Sequence, residues 1–196
     1  MSIKNISVFC ASAAGIDPVY MQQAYKLGKE MAARGQGLIY GGAKVGLMGS
    51  VALGAIDHGG KVYGILPDFL KRKELEYEGL TEIHIVKTMH ERKAMMEEMC
   101  DAIIALPGGF GTMDELFEII TWAQLALHKK PIGLLNVEGY YDPLMVFIDS
   151  MIEKGFVKPE YKNLIIVDSD IESLLDKMAL YEPTFCNGKW FEPATN

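Results

Sequence analysis

A chain of 196 residues, 49% of them hydrophobic and with a net charge of −7, is sized for one compact domain with a substantial core. Residues 1–196 are therefore read as a single domain ending in a tail at 181–196. The acidic balance excludes a general nucleic-acid binder, which needs a basic face, but allows a locally positive site for a small anion. No apolar run reaches the roughly 18 residues of a membrane span. Met1-Ser2-Ile3-Lys4-Asn5 leads straight into a strand, so no secretory leader is expected. Cys10, Cys100 and Cys186 are far apart with no CxxC pair. That spacing points to a reducing cytoplasm and away from disulfides or zinc.

In chain order, strand and helix patterns alternate. Ile6 to Cys10 reads as a strand. Pro18 to Arg34 reads as a helix, with Asp17 as N-cap and Gly35 at its end. Gly37 to Tyr40 is a strand, Leu47 to His58 a small-residue helix, and Lys61 to Ile65 and Thr81 to Val86 are strands. Glu91 to Cys100 is a helix and Ala102 to Ala105 a strand. Thr112 to Leu127 is a helix with Leu116, Ile119, Ile120, Ala123 and Leu127 on one side. Strand Pro131 to Leu135, helix Asp142 to Lys154, strand Leu164 to Val167 and helix Asp170 to Leu180 complete the order. Continuously apolar strands alternating with helices predict an α/β fold: a doubly wound, Rossmann-like parallel sheet with helices on both faces. Ligands of such folds bind at the carboxyl ends of the strands, here the loops starting at Cys10 (with Ser12), Gly41, Pro67 and Pro107.

The densest chemistry lies in Leu106-Pro107-Gly108-Gly109-Phe110-Gly111-Thr112-Met113-Asp114-Glu115. A strand, a glycine turn and a helix N-terminus together make an anion site, because glycine permits close approach and the first helical N–H groups favour a phosphate. The GxGxxG fingerprint and the P-loop are both missing, which disfavours a dinucleotide enzyme or a P-loop NTPase. The Gly41-Gly42 turn serves equally well as close helix–strand packing or as a ligand wall. Thr112 and Glu115 have the spacing of a capping box, in which Glu115 bonds back to the Thr112 N–H. Yet a cap requires no Pro-Gly-Gly-x-Gly ahead of it, and Asp114 beside Glu115 calls for nearby cations. Arg92 and Lys93, in Met89-His90-Glu91-Arg92-Lys93, fall at the same sheet edge and are the expected cations. No histidine has metal-ligand spacing, so no metal is expected. Cys10 reads as a buried apolar residue rather than a nucleophile. Met89, Met95, Met96 and Met99 read as a helix face packed in the core, with one or two of them available to line an apolar pocket.

Pro107 to Glu115 resembles the PGGxGTxxE signature of the LONELY GUY (LOG) family of phosphoribohydrolases, once labelled lysine decarboxylases. Met89 to Lys93 is similar to that family's second motif, and Tyr40-Gly41-Gly42, Gly46 to Gly49 and Ile120 to Leu125 also fit. The resemblance runs from Ile6 to about Leu180. It implies cleavage of the N-glycosidic bond of an adenosine 5′-monophosphate, with or without an N6 substituent, needing no cofactor. It places the catalytic pair on Arg92 and Glu115. Substrate contacts fall on Glu74, Lys93, Gly108, Gly109, Phe110, Gly111, Thr112, Met113, Asp114 and Thr121. It also implies a homodimer, with the Thr112 helix near the interface. Trp122, Leu125 and Leu127 read equally well as an apolar face toward a second subunit or as core packing. A non-catalytic nucleotide carrier of the same fold is the alternative. A pyridoxal-dependent decarboxylase is disfavoured, because no lysine stands in a recognisable cofactor context.

Overall fold

The computed structural model describes residues 3–70 and 79–183. Seven parallel strands form one sheet: β1 (Asn5–Phe9), β2 (Gly37–Tyr40), β3 (Val62–Pro67), β4 (Glu82–Val86), β5 (Ala102–Ala105), β6 (Ile132–Leu135) and β7 (Ile165–Asp168). Their spatial order is β4-β3-β2-β1-β5-β6-β7. The chain winds outward from β1 to β4, then returns to the other side of β1 with β5. The topological switch point therefore lies between β1 and β5, where Ile6 pairs with Ala102 and Phe9 with Ala105.

The inner strands are largely apolar on both faces because both are covered, whereas edge strand β4 leaves Glu82 and Ile85 exposed. Ile6, Val8, Leu38, Tyr40, Ala102 and Ile104 belong to one core; Phe9, Ile39, Ile103 and Ala105, of opposite parity, belong to the other. The first face is covered by α1 (Pro18–Ala33), α2 (Gly46–Ile56) and α6 (Ile171–Ala179). The second face packs against α3 (Met89–Met99) and α4 (Phe110–Gln124), beside the start of α5 (Asp142–Glu153). Helices α1 and α2 meet backbone to backbone. A Cβ on Gly28 would lie 2.8 Å from the Ala55 nitrogen, and one on Gly54 would lie 2.8 Å from the Tyr25 carbonyl carbon.

The expected strands and helices are all present. Asp17 caps α1 by accepting from the Val19 N–H at 2.9 Å. Two helix starts differ from expectation. Helix α3 begins at Met89, capped by Thr88, whose Oγ1 accepts from the Glu91 N–H at 3.1 Å. Glu91 in turn accepts from the Lys87 N–H at 2.8 Å. Arg92 and Lys93 thus sit in the second turn, past the strongest part of the helix dipole. Helix α4 begins at Phe110 with Gly109 at the cap position and no side-chain cap, so Thr112 lies inside the helix rather than at its end. Helix α4 also stops at Gln124, and Ala126 adopts φ 59° just beyond it.

Candidate active site

The cleft lies over the carboxyl ends of β1, β2 and β5. It encloses about 370 Å³ and is lined by Cys10, Ala11, Ser12, Met48, Met89, Arg92, Gly109 to Thr112 and Glu115. Two glycine turns converge here and do different jobs. At the start of α2 the Leu47 and Met48 N–H groups donate to the Ala13 and Ala11 carbonyls at 3.3 and 3.2 Å, so those amides are consumed by the loop after β1. At the start of α4 the first intrahelical bond is Met113 N–H to the Gly109 carbonyl at 3.0 Å. The Phe110, Gly111 and Thr112 N–H groups precede it and have no intrahelical partner. The open helix-N-terminal amides of the cleft are therefore those of α4. A Cβ on Gly109 or Gly111 would meet nothing within 4 Å, which leaves open space above those amides.

Thr112 is buried and folds back over Gly108, where a Cβ would lie 2.6 Å from the Thr112 Cβ. Glu115 makes no capping box. It is 6% exposed and its Oε1 accepts from Arg92 Nη2 at 3.4 Å; Arg92 is 5% exposed. The pair joins α3 to α4 across the floor of the cleft. Burial pushes the Glu115 carboxyl above the usual glutamate range, against the downward pull of Arg92. Arg92 Nε is buried without a hydrogen-bond partner among the described residues.

Gly41 makes room for Arg92: a Cβ there would overlap Nη2 and lie 2.9 Å from Cζ. The Gly41-Gly42 turn is thus a floor for the guanidinium, with Gly42 at φ 81° beneath it against Leu66. Lys93, on the other side of α3, ion-pairs with Asp114 at 3.0 Å and Glu118 at 3.1 Å. Its ammonium already holds two carboxylates and does not line the cleft. Met113, Asp114 and Thr121 face a separate shallow groove of about 490 Å³ along the outer face of α4, with Phe110, Phe117 and Trp122. The Thr121 hydroxyl donates to the Phe117 carbonyl at 2.7 Å. Ser12 is exposed at the cleft rim. Glu74 and Cys186 lie outside the described residues. Cys10 is buried in the cleft wall and burial drives its thiol pKa upward, so it is no thiolate nucleophile. Met96 is fully buried and Met89 lines the cleft. No group of three or more potential metal ligands occurs among the described residues.

Sequence reasoning missed Tyr140 and Tyr141. The Tyr140 hydroxyl donates to the Gly108 carbonyl at 2.5 Å and the Tyr141 hydroxyl to the Leu106 carbonyl at 2.6 Å. A side chain bonded to a distant backbone carbonyl leaves no spacing pattern to read.

A buried arginine–carboxylate pair lies beneath open helix-N-terminal amides at the switch point of a parallel sheet, an arrangement suited to an enzyme of Rossmann-like architecture that acts on a small anion. The family described as "Possible lysine decarboxylase" matches residues 48–178. The cytokinin riboside 5′-monophosphate phosphoribohydrolase LOG7 of Arabidopsis thaliana is 46% identical over 183 residues, which are 93% of this chain and 84% of that one. The cytokinin riboside 5′-monophosphate phosphoribohydrolase LOG of Oryza sativa subsp. japonica is 46% identical over 182 residues, 93% of this chain and 75% of that one. The chain belongs to the LOG family of phosphoribohydrolases. Its fold is shared more distantly by the molybdenum cofactor binding protein of Rippkaea orientalis, at 22% identity and a TM-score of 0.69 over 92% of this chain and 98% of that one. The molybdenum cofactor carrier protein of Chlamydomonas reinhardtii shares it at 20% identity and a TM-score of 0.69, over 92% of this chain and all of that one.

Proposed function

We propose that this chain hydrolyses the N-glycosidic bond of an adenosine 5′-monophosphate, plain or N6-substituted, releasing the free base and ribose 5-phosphate. One observation carries the reading: Glu115, buried and paired with Arg92, stands one helical turn inside the open amides that begin α4. The 5′-phosphate sits on the N–H groups of Phe110, Gly111 and Thr112. The ribose then reaches Glu115. Its carboxylate stabilises the oxocarbenium character that develops at C1′ and orients the attacking water. The water oxygen bonds to C1′ and its proton passes to Glu115. The glycosidic electron pair leaves with the base, which takes up a proton from solvent. Arg92 fixes the carboxylate and adds positive charge beside the phosphate path. Ser12, Gly41, Gly42 and Gly108 shape the site, and Lys93 holds the α4 carboxylates in place.

The test is to incubate the protein separately with AMP and with isopentenyladenosine monophosphate and to measure base release. Both the riboside lacking phosphate and the Glu115→Gln variant are expected to give none. Full turnover by Glu115→Gln overturns the assignment. AMP binding without base release over hours favours the carrier reading instead.

The same reading includes a homodimer through the outer face of α4. Phe110 there is 98% exposed and forms the groove with Phe117 and Trp122, and Leu127 lies uncovered beyond the helix end. Light scattering should give twice the chain mass. A monomeric mass removes this part of the proposal. The occupant is a small nucleotide rather than a nucleic-acid polymer, in keeping with a net charge of −7. Buried free thiols at Cys10 and Cys100 support cytoplasmic residence, and cell fractionation checks it.

A further inference from the structure

The loop between β6 and α5 is built at visible conformational cost. Val137–Gly139 forms a 3-10 turn in which Glu138, a residue with a side chain, is held at φ 51°, followed by Gly139 at φ 71°. Asn136 secures it from both sides. Its Oδ1 accepts from the Tyr141 N–H at 2.7 Å, and its Nδ2 donates to Asp142 Oδ1 at 2.7 Å. The result is to deliver two neighbouring rings, edge to face with centroids 5.1 Å apart, onto the glycine loop. Tyr20 adds a second edge contact to Tyr140 at 6.1 Å.

The two hydroxyls do not do the same thing. Tyr141 holds the Leu106 carbonyl, and the next residue is Pro107, which has no N–H to aim. Tyr140 holds the Gly108 carbonyl, and the next residue is Gly109. In a planar trans peptide the C=O and the following N–H point in opposite directions. Fixing the Gly108 carbonyl toward Tyr140 therefore directs the Gly109 N–H away from it. Gly109 lines both the Arg92–Glu115 cleft and an adjoining space of about 210 Å³ bounded by Tyr20 and Tyr140. Gly109, with open space where a Cβ would stand, is free to turn this peptide over; the tyrosine hydroxyl removes that freedom.

We infer that Tyr140 is a positioning residue: through the Gly108 carbonyl it locks the Gly109 N–H in the orientation that receives the substrate's 5′-phosphate. Tyr141 is a structural anchor of the same loop. The inference rests on the phosphate placement proposed above and adds the Gly109 N–H to the Phe110, Gly111 and Thr112 amides that hold it.

The experiment compares Tyr140→Phe and Tyr141→Phe with the unaltered protein in three measurements: AMP hydrolysis, calorimetric binding of inorganic phosphate, and Tm. Tyr140→Phe keeps the ring and loses only the hydroxyl. It should raise KM for AMP and weaken phosphate binding by the same factor, about five- to tenfold, the scale of one ordinary hydrogen bond. Its kcat should stay within about twofold of the unaltered protein's and its Tm should barely move, because net hydrogen-bond contributions at half-exposed sites are small. Tyr141→Phe should lower Tm and leave KM unchanged. Unchanged KM and phosphate affinity in Tyr140→Phe overturn the inference, as does a loss in kcat alone. Phosphate binding by the unaltered protein without base release refutes the hydrolase reading while leaving the Tyr140 comparison intact.

Discussion

Gly41 and Arg92 occupy one space. The guanidinium lies over the Gly41 Cα, so that a Cβ there would stand 2.9 Å from Cζ, with Met48 Sδ at 3.0 Å closing the other side. Gly41→Ala should therefore displace Arg92 rather than be absorbed by it. The expected outcome is a fall in kcat/KM of about tenfold to a hundredfold, the cost of misplacing a catalytic group by an ångström or so. Steady-state kinetics alongside a thermal melt will separate this from a folding defect.

Gly111 is the opposite case. Its Cβ would enter open space in the cleft, and Gly111 already has helical conformation. Gly111→Ala should stabilise the unliganded protein by about 0.5–1 kcal/mol, by restricting the unfolded chain and favouring the helix. The added methyl should at the same time raise KM for the nucleotide. Urea unfolding and KM measured on one preparation check both signs. A variant that is stabilised but binds substrate normally would show that the phosphate lies elsewhere.

Glu115 sets a pH dependence. Burial holds its carboxyl above the usual glutamate range, while Arg92 draws it down. If the ionised form orients water, kcat/KM falls as pH drops through that raised pKa, so the acid limb lies above the range of an ordinary glutamate. Removing Arg92, as in Arg92→Gln, should move the limb to higher pH. A carboxyl with a raised folded-state pKa favours folding below its unfolded-state pKa and loses that advantage as pH rises through the folded value. Glu115→Gln, which mimics the protonated form, should be more stable than the unaltered protein at neutral pH, with the gap closing on acidification. Melts across pH 4–8 measure it.

Gly28 and Gly54 let α1 and α2 touch along their backbones. Alanine at either position should cost about 1–3 kcal/mol, because a helix rather than a side chain must move. Denaturant titration should show a lower midpoint with an unchanged slope.

The alternation of elements was legible in the chain because strands covered on both faces are continuously apolar and helices such as α1 carry a clear cap in Asp17. The start of α4 was not, for a glycine at the cap position offers no side chain to signal it, and Thr112-x-x-Glu115 imitates the signal of a cap. The true box-like cap, Thr88-x-x-Glu91, stood in plain view one unit earlier. Sheet-edge logic brought Arg92 and Lys93 to the end of the sheet that holds Glu115, and the family resemblance singled out Arg92 as its partner. The direction of Lys93 could not be read that way: one residue further along a helix points roughly 100° away, toward Asp114 and Glu118 rather than into the cleft. The two tyrosines were invisible because their partners are carbonyl oxygens 32 and 35 residues away.

The bare beginning of α4 has a thermodynamic consequence. A helix that starts at a glycine with no side-chain acceptor carries a deficit of about a few tenths of a kcal/mol relative to one begun by serine or aspartate. An anion seated there supplies the missing acceptor, so the ligand becomes part of the fold. Ribose 5-phosphate or inorganic phosphate at a hundred times its dissociation constant should add about 2.7 kcal/mol to the unfolding free energy and raise Tm accordingly. On the proposed phosphate placement, the occupied protein is then more stable than the empty one.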